Sequence, residues 1–155
     1  MIRIRPVAAA DLDAVLAIQA ASPEAAAWNR QTYDTILADA AQTLCRIAEI
    51  EDTPVGFAAF RVVGDEAELL NLAVLPTRRR SGIATQLMNR VLAEAASKGA
   101  TDIYLEVRSS NPNALALYQR FGFETKSRRP GYYNNPPADA LVLYRRLSRD
   151  DAPRK

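Results

Sequence analysis

Short apolar runs alternate with amphipathic stretches along the whole chain, and this pattern predicts a mixture of strands and helices. Strand-like runs occupy residues 2–7, 43–50, 54–63, 66–75, 102–107, 123–126 and 140–147. Apolar residues recur at helical spacing over residues 10–21, 29–40, 83–98 and 114–121. The predicted order is β-α-α-β-β-β-α-β-α-β-β, an α+β fold with a mixed central sheet of about seven strands flanked by about four helices.

The connections between these elements predict one domain with two long loops. The loops are Ser22 to Trp28 and Arg128 to Pro137, of which the second is rich in tyrosine and proline. A chain of 155 residues is long enough to bury one core without disulfides. Residues 1–149 are therefore expected to form a single domain, and residues 150–155 a disordered tail.

A basic loop with one glycine precedes the longest amphipathic helix. It reads Arg79-Arg80-Ser81-Gly82-Ile83-Ala84 and follows an apolar strand. The first turn of a helix has unpaired backbone N–H groups and partial positive charge, so this segment predicts a pyrophosphate site to which the arginines add full charge. Taken alone, the segment also fits a solvated basic turn. It is neither a Walker loop, which needs Gly-Lys-Ser/Thr, nor a dinucleotide fingerprint, which needs three spaced glycines.

The chain contains no histidine. Imidazole bases, imidazole metal ligands and every catalytic arrangement that pairs Ser or Cys with His are therefore excluded. Any general base must be Glu, Asp, Lys, Tyr or water. The single cysteine, Cys45, lies in an apolar alternation and is predicted to be a small core residue. No spacing of ligand residues implies a bound metal.

Charge and hydropathy argue against nucleic acids and membranes as binding partners. The net charge of +2 is weak evidence for nucleic-acid binding, since dedicated binders carry a much more basic stripe. No apolar run reaches the roughly 18 residues that a membrane-spanning helix needs. Met1 to Arg5 alternates like a strand and lacks the apolar block of a signal peptide. We therefore expect a cytoplasmic protein that binds neither a membrane nor nucleic acid.

Four ordered motifs resemble the GNAT superfamily of N-acetyltransferases, and the resemblance spans essentially the whole chain. In chain order they are Leu70-Asn71-Leu72-Ala73-Val74, Arg79-Arg80-Ser81-Gly82-Ile83-Ala84, Leu105-Glu106-Val107-Arg108, and Asn111 through Ala114-Leu115-Ala116-Leu117-Tyr118 to Gly122-Phe123. Within the superfamily the chain is similar to the ribosomal-protein-alanine N-acetyltransferase branch. That similarity lies in Asn-Leu-Ala-Val, Leu-Glu-Val-Arg, Arg-Arg-x-Gly-Tyr-Tyr and Asp139-Ala140-Leu141.

The resemblance implies acetyl-CoA as the co-substrate. Its pyrophosphate is expected on the amides of residues 79–84, and its pantetheine is expected to pair like an added strand. The cofactor-binding residues that the resemblance implies are Leu72, Ala73, Val74, Arg79, Arg80, Ser81, Gly82, Ile83, Ala84, Asn111 and Tyr118. Ala84 stands where the family often has glycine, a change that a helix tolerates. Asn111 is expected to position the cofactor, to cap the following helix, or to do both.

The resemblance also implies the catalytic groups. Glu106 is the implied general base, which deprotonates the acceptor ammonium directly or through water, and Tyr118 is the implied acid for the departing thiolate. The backbone N–H of Val74 is the implied donor to the developing oxyanion. Without the family pattern, Glu106 fits an exposed strand-end charge or an ion-pair partner of Arg108, and Tyr118 fits a packing aromatic.

Three aromatic residues are implied to bind the acceptor. Tyr132 and Tyr133 are similar to the aromatic pair that clamps the first residues of the substrate in protein N-terminal acetyltransferases. Trp28 stands where the branch usually has a Pro-Trp pair. Here Ala26 and Ala27 precede it, so the acceptor pocket is expected to differ in shape from that of the branch.

These residues support three hypotheses of function. The leading one is transfer of acetyl from acetyl-CoA to the α-amine of a protein N-terminus, by direct attack in a ternary complex. The second keeps the fold but takes a small-molecule amine or a lysine side chain as acceptor. The third is a non-catalytic subunit that binds acetyl-CoA, or RNA through Arg78 to Arg80. A monomer or a weak dimer is expected.

Overall fold

The computed structural model describes residues 1–22, 25–39, 41–134 and 137–152. Its strands are β1 (Ile2–Pro6), β2 (Thr43–Ile50), β3 (Thr53–Val63), β4 (Glu66–Val74), β5 (Asp102–Arg108), β6 (Glu124–Asn134) and β7 (Pro137–Arg146). Its helices are α1 (Leu12–Ala20), α2 (Arg30–Ala38), α3 (Ile83–Ser97) and α4 (Pro112–Arg120). The predicted order of elements and the α+β class are confirmed. The predicted end of the second helix at Ala40 and the predicted loop positions 23 and 24 lie outside the described residues.

All seven strands form one sheet, in the order β1-β2-β3-β4-β5-β7-β6. Helix α3 packs on one face, where Leu87, Met88 and Val91 are fully buried against the sheet, and α4 contributes Tyr118 to the same cluster. Helices α1 and α2 pack on the other face, where Leu12 and Tyr33 belong to a second buried cluster. The apolar faces of the helices thus pack on opposite faces of the sheet and form two separate hydrophobic cores.

Cys45 lies in the cluster beneath α1 and α2 and is 5% exposed, which confirms its prediction as a core residue. Burial raises the pKa of its thiol to about 11. The thiol is therefore protonated at neutral pH and does not act as a nucleophile.

The parallel strands β4 and β5 separate after a short pairing. Their register joins only Glu66–Glu68 with Asp102–Tyr104, whereas β5 pairs with β7 along its whole length. A cleft therefore opens between the second half of β4 and the second half of β5. Ligands of sheets with this topology bind where neighbouring strands diverge.

The prediction of a loop from Arg128 to Pro137 is wrong, because β6 and β7 form a long hairpin that includes most of it. Pro130 and Gly131 interrupt the apolar alternation, and Gly131 has a positive φ of 62°. The ladder accommodates them in a bulge between Arg129 and Tyr133. Residues 135 and 136 lie outside the described residues.

Part of the segment predicted as a disordered tail is helical. Arg149–Asp151 form a short 3-10 helix capped by the Ser148 side chain, and Asp151 pairs with Arg145 at 3.0 Å. Residues 153–155 lie outside the described residues. None of the helices that the structure describes is both long enough and apolar enough to span a bilayer.

Candidate active site

The basic segment predicted to hold phosphate forms the turn into α3, and we call residues 79–84 the phosphate loop. Arg80 and Gly82 both have left-handed backbone conformations, with φ of 65° and 80°. Gly82 occupies the N-cap of α3 and supplies no side-chain cap, so the amides of the first helical turn remain available to a ligand. Ile83 is 1% exposed and anchors the turn in the core. This set of exposed amides and arginine side chains fits a pyrophosphate.

The edge of β4 that faces the cleft fits an added strand. The Leu75 N–H donates to the Val55 carbonyl at 2.8 Å, and alternate residues of an antiparallel ladder bond to the partner strand. Ala73 therefore bonds to β3, while the backbone groups of Leu72 and Val74 point into the cleft. Amide groups of a pantetheine arm can pair with such an edge, and the Val74 N–H lies on the same side.

Glu106 lies on β5 beyond the last residue paired with β4. Its neighbours Leu105 and Val107 are buried toward α3, so the alternation of the strand turns Glu106 to the opposite face. Its side chain is 28% exposed, and its carboxylate pairs with Arg129 at 3.3 Å from Nη1 to Oε1. A carboxylate so placed can accept a proton from a ligand in the cleft.

The bulge of β6, residues 129–133, places two tyrosines beside Glu106, and we call it the tyrosine bulge. The Tyr132 and Tyr133 rings meet edge to face, with centroids 5.1 Å apart. The Arg108 guanidinium lies 4.2 Å from the centroid of the Tyr133 ring. Burial, and then the negative charge of Glu106, raises the pKa of Tyr133. Its hydroxyl is therefore a hydrogen-bond donor at neutral pH.

Asp139 holds the shape of the tyrosine bulge from the neighbouring strand. Its carboxylate accepts hydrogen bonds from the Gly131 backbone N–H at 2.8 Å and from Arg128 Nε at 2.5 Å. These two bonds, with the backbone bond first, lower the pKa of Asp139. The carboxylate is therefore ionised, and the bonds are in place, throughout the neutral range.

Tyr118 lies on the α3 side of the sheet, opposite Glu106. It is 8% exposed, and its ring meets Phe123 edge to face at 5.8 Å. Burial raises the pKa of the Tyr118 phenol well above its usual range, so it carries its proton at all ordinary pH values. The two implied catalytic residues thus flank the sheet from opposite faces. Asn111 caps α4 by accepting a hydrogen bond from the Ala114 N–H at 3.2 Å, which confirms its prediction as a cap.

Trp28 lies in the segment between α1 and α2, of which we call residues 25–29 the tryptophan loop. The centroid of its ring is 5.5 Å from that of the Tyr33 ring. Its backbone carbonyl accepts a hydrogen bond from Gln19 Nε2 at 2.7 Å. The loop follows the C-terminal end of α1, so it lies on the same side of the sheet as Glu106. The cleft is thus flanked on that side by the tryptophan loop and the tyrosine bulge.

An open groove of about 610 Å³ is lined by residues of strands β3 to β7. Arg129, the ion-pair partner of Glu106, lines it together with Tyr104 and Val142. Arg61 of β3 and Glu68 of β4 also line it. Within the described ranges, no cluster of three or more acidic or cysteine side chains is placed to hold a metal.

Comparison with known proteins decides the family. The model of the acetyltransferase (GNAT) family matches residues 12–123. The chain belongs to this family. Its predicted fold is therefore confirmed.

Relatives of this GNAT chain include two N-terminal acetyltransferases. The [ribosomal protein bS18]-alanine N-acetyltransferase of Salmonella typhimurium is 37% identical over 60% of this chain and 64% of its own length. N-alpha-acetyltransferase 50 of Danio rerio is 37% identical over 71% of this chain and 69% of its own length. The chain thus covers slightly less than two thirds of the Salmonella relative.

A solved structure resembles almost the whole chain. The crystal structure of the ribosomal-protein-S18-alanine N-acetyltransferase from Escherichia coli matches with a TM-score of 0.87 at 30% identity, covering 96% of this chain and 95% of that one. The predicted similarity to the ribosomal-protein-alanine branch is confirmed.

For four residues of the site the sequence did not indicate the contacts that the structure shows, and Glu106 pairs with Arg129 at 3.3 Å. Arg129 and Asp139 act across the β6–β7 hairpin that the sequence did not predict. Arg108 follows Glu106 by two positions on β5, so strand alternation could have placed both on one face. Gln19 lies on α1, and nothing near it in the sequence indicates its bond to the tryptophan loop.

Proposed function

We propose that the chain is an acetyl-CoA-dependent N-acetyltransferase that acts on the α-amine of a protein N-terminus by direct attack in a ternary complex. The observation that carries the proposal is the position of Glu106 beside the tyrosine bulge, where it pairs with Arg129, a residue that lines an open groove. The names of the Salmonella and Danio relatives, an alanine N-acetyltransferase of a ribosomal protein and an N-alpha-acetyltransferase, support the same acceptor class.

The residues of the chain divide the reaction between the two faces of the sheet. Acetyl-CoA, when bound, supplies the acetyl thioester. The phosphate loop holds its pyrophosphate, and Leu72 to Val74 align its pantetheine, with the Val74 N–H donating to the developing oxyanion. Glu106 removes a proton from the acceptor ammonium, directly or through water, so that the neutral amine attacks. Tyr118 gives a proton to the departing thiolate from the opposite face.

The acceptor chain lies between the tryptophan loop and the tyrosine bulge. The hydroxyls of Tyr132 and Tyr133 can donate to peptide carbonyls, and their rings lose little rotamer entropy on binding. Residues that follow the acceptor amine can continue into the groove lined by Arg129 and Tyr104. A small amine would leave that groove empty, which is why we favour a peptide.

The test is thiol release from acetyl-CoA against peptides that differ in their first two residues. We expect turnover on a subset of peptides, with intact mass showing a gain of one acetyl group. Turnover on polyamines or amino acids but on no peptide would favour the second hypothesis. Binding of acetyl-CoA without transfer to any amine would favour a non-catalytic role, and RNA binding with a steep salt dependence would favour the RNA-binding subunit.

A further inference from the structure

The buried amide of Asn71 connects the strand that faces the cofactor with the loop that faces the acceptor. It is 5% exposed and lies on β4, one residue before the segment implied to align the pantetheine. We propose that Asn71 is a positioning residue for the acceptor: it fixes the tryptophan loop on β4 and thereby sets the affinity for the acceptor chain. This inference rests on the proposed function.

Asn71 holds the loop through its backbone. Its Oδ1 accepts a hydrogen bond from the Ala26 N–H at 3.1 Å, and its Nδ2 lies 3.3 Å from the Ala26 carbonyl oxygen. Because a backbone N–H can only donate, the side-chain oxygen must face it, and this fixes the orientation of the amide. One side chain thus satisfies both polar groups of one loop residue, as a partner strand would.

Two further side chains extend this contact to the tryptophan. The Tyr33 hydroxyl donates to Gln19 Oε1 at 2.5 Å and lies 3.4 Å from Asn71 Nδ2. Gln19 in turn donates to the Trp28 carbonyl at 2.7 Å. The hydrogen bonds therefore form a connected network of neutral groups from β4 to Trp28, and such networks hold a defined geometry when each member is satisfied.

A second contact joins the same segment to β4 at its other end. The hydroxyl of Ser22, which is 3% exposed, donates to the Val74 carbonyl at 3.3 Å. The start of the α1–α2 connection and the tryptophan loop are thus both attached to the half of β4 that lines the cleft. Because the α1–α2 connection is attached to β4 at two points, its distance from a ligand that binds along β4 is fixed.

Only a side chain that both donates and accepts satisfies this position. Leucine, which has nearly the same shape, would leave the Ala26 N–H and carbonyl buried without partners. The loop would then move away from β4 to reach water. The chemistry at Glu106 would be unaffected, because Glu106 lies on a different strand and pairs with the tyrosine bulge.

The experiment compares wild type with Asn71→Leu in steady-state kinetics and in fluorescence. We expect the KM for a peptide acceptor with a free α-amine to rise at least about tenfold, since unpaired backbone groups at this partly buried contact favour the displaced loop. The kcat and the KM for acetyl-CoA should change less than about threefold. Trp28 is the only tryptophan of the chain, so its quenching by acrylamide reports on the loop directly and should increase.

Two further variants separate positioning from general destabilisation. Gln19→Met removes the bonds of Gln19 to the Trp28 carbonyl and to the Tyr33 hydroxyl but leaves both contacts between Asn71 and Ala26. It should shift KM and quenching in the same direction by less, and it also serves if Asn71→Leu does not fold. Leu92→Ala creates a cavity in the α3 core, where Leu92 is 4% exposed. It should lower Tm and leave the peptide KM and the quenching unchanged.

The outcomes separate this inference from the proposed function. Turnover of peptides by the wild type, with an unchanged peptide KM in both Asn71→Leu and Gln19→Met, would overturn the inference alone. A fall in kcat with no change in KM or quenching would also overturn it. A wild type that acetylates no peptide would overturn the proposed function, and the role of Asn71 toward an acceptor with it.

Discussion

The tryptophan loop and the tyrosine bulge flank the same cleft but are held by different interactions. The tryptophan loop is attached by neutral, partly buried hydrogen bonds to Asn71 and Gln19, and Gln19 in turn is bonded to Tyr33. The tyrosine bulge is held at the surface by the charge of Asp139 and by arginines over its rings. Buried bonds are costly to break and are little affected by salt, whereas exposed ion pairs contribute little to stability and are screened.

The tryptophan loop and the tyrosine bulge, which form the two walls of the cleft, should therefore respond differently to mutation. Changes in the tryptophan loop network should alter both the stability of the fold and the binding of the acceptor. Changes in the contacts of the tyrosine bulge should alter binding with little effect on stability. The proposed mechanism assigns the proton transfers to neither wall but to Glu106 and Tyr118.

The largest effect is therefore expected away from both walls, at Glu106. Glu106→Gln should lower kcat at saturating peptide by at least about a hundredfold, because it removes the base while keeping the shape. The measurement is initial-rate thiol release. Arg129→Met is the matched control: it removes the ion pair with Glu106 but keeps the carboxylate, so kcat should fall far less. Equal losses in the two variants would mean that Glu106 acts only through the ion pair.

The next effect is on stability, at Tyr33. Tyr33→Phe removes a hydroxyl that is buried against Gln19 and Asn71, and should cost about 1–2 kcal/mol of unfolding free energy, or roughly 2 to 8 °C in Tm. Thermal or denaturant unfolding measures it. Tyr144→Phe removes a hydroxyl bonded to Asp102 at the partly exposed sheet face, and its loss should be smaller. A larger loss at Tyr144 would reverse the contrast between buried and exposed contacts.

A smaller effect is expected at the tyrosine bulge. Asp139→Asn keeps an oxygen for the Gly131 N–H but loses the charge that pairs with Arg128. The peptide KM should rise by about threefold with Tm unchanged, because exposed pairs add little to stability. Added salt should raise the wild-type KM for an uncharged peptide toward that of the variant. Glu124→Gln, on the same strand, should change neither, and a clear fall in Tm for Asp139→Asn would refute the contrast.

The smallest effect is on the alkaline stability of the fold. Burial raises the pKa of both Tyr33 and Tyr118, so the folded chain keeps protons that the unfolded chain releases above about pH 10. Stability should be unaffected by these phenols below that pH and should fall as the pH rises further. Unfolding midpoints measured between pH 8 and 11 should decline less in Tyr33→Phe and Tyr118→Phe. An identical decline in the variants and the wild type would contradict these shifts.

The sequence predicted most of the sheet because most of its strands alternate or are continuously apolar. β2 was predicted at its observed bounds, and the stripe of α3 identified its buried residues. The turn into α3 was also predictable, because a glycine before an amphipathic stretch is a local signal. Local periodicity carries this information without knowledge of the rest of the fold.

The two walls of the cleft were predicted less well, because their structure depends on distant residues. Pro130 and Gly131 suggest a loop, and only pairing with β7 makes the segment a strand. The bond between Asn71 and Ala26 joins residues 45 positions apart. Asn71 was identified as part of a family motif, but the pattern of neighbouring residues contains no sign of what its amide contacts.

The most direct test of the account localises the transferred acetyl group. The acceptor is a peptide that carries both a free α-amine and an internal lysine, incubated with the chain and acetyl-CoA and sequenced by tandem mass spectrometry. The account predicts acetylation of the α-amine and none of the lysine, with the signal lost in Glu106→Gln. Acetyl on the lysine, or none on the peptide while acetyl-CoA binds, would contradict it.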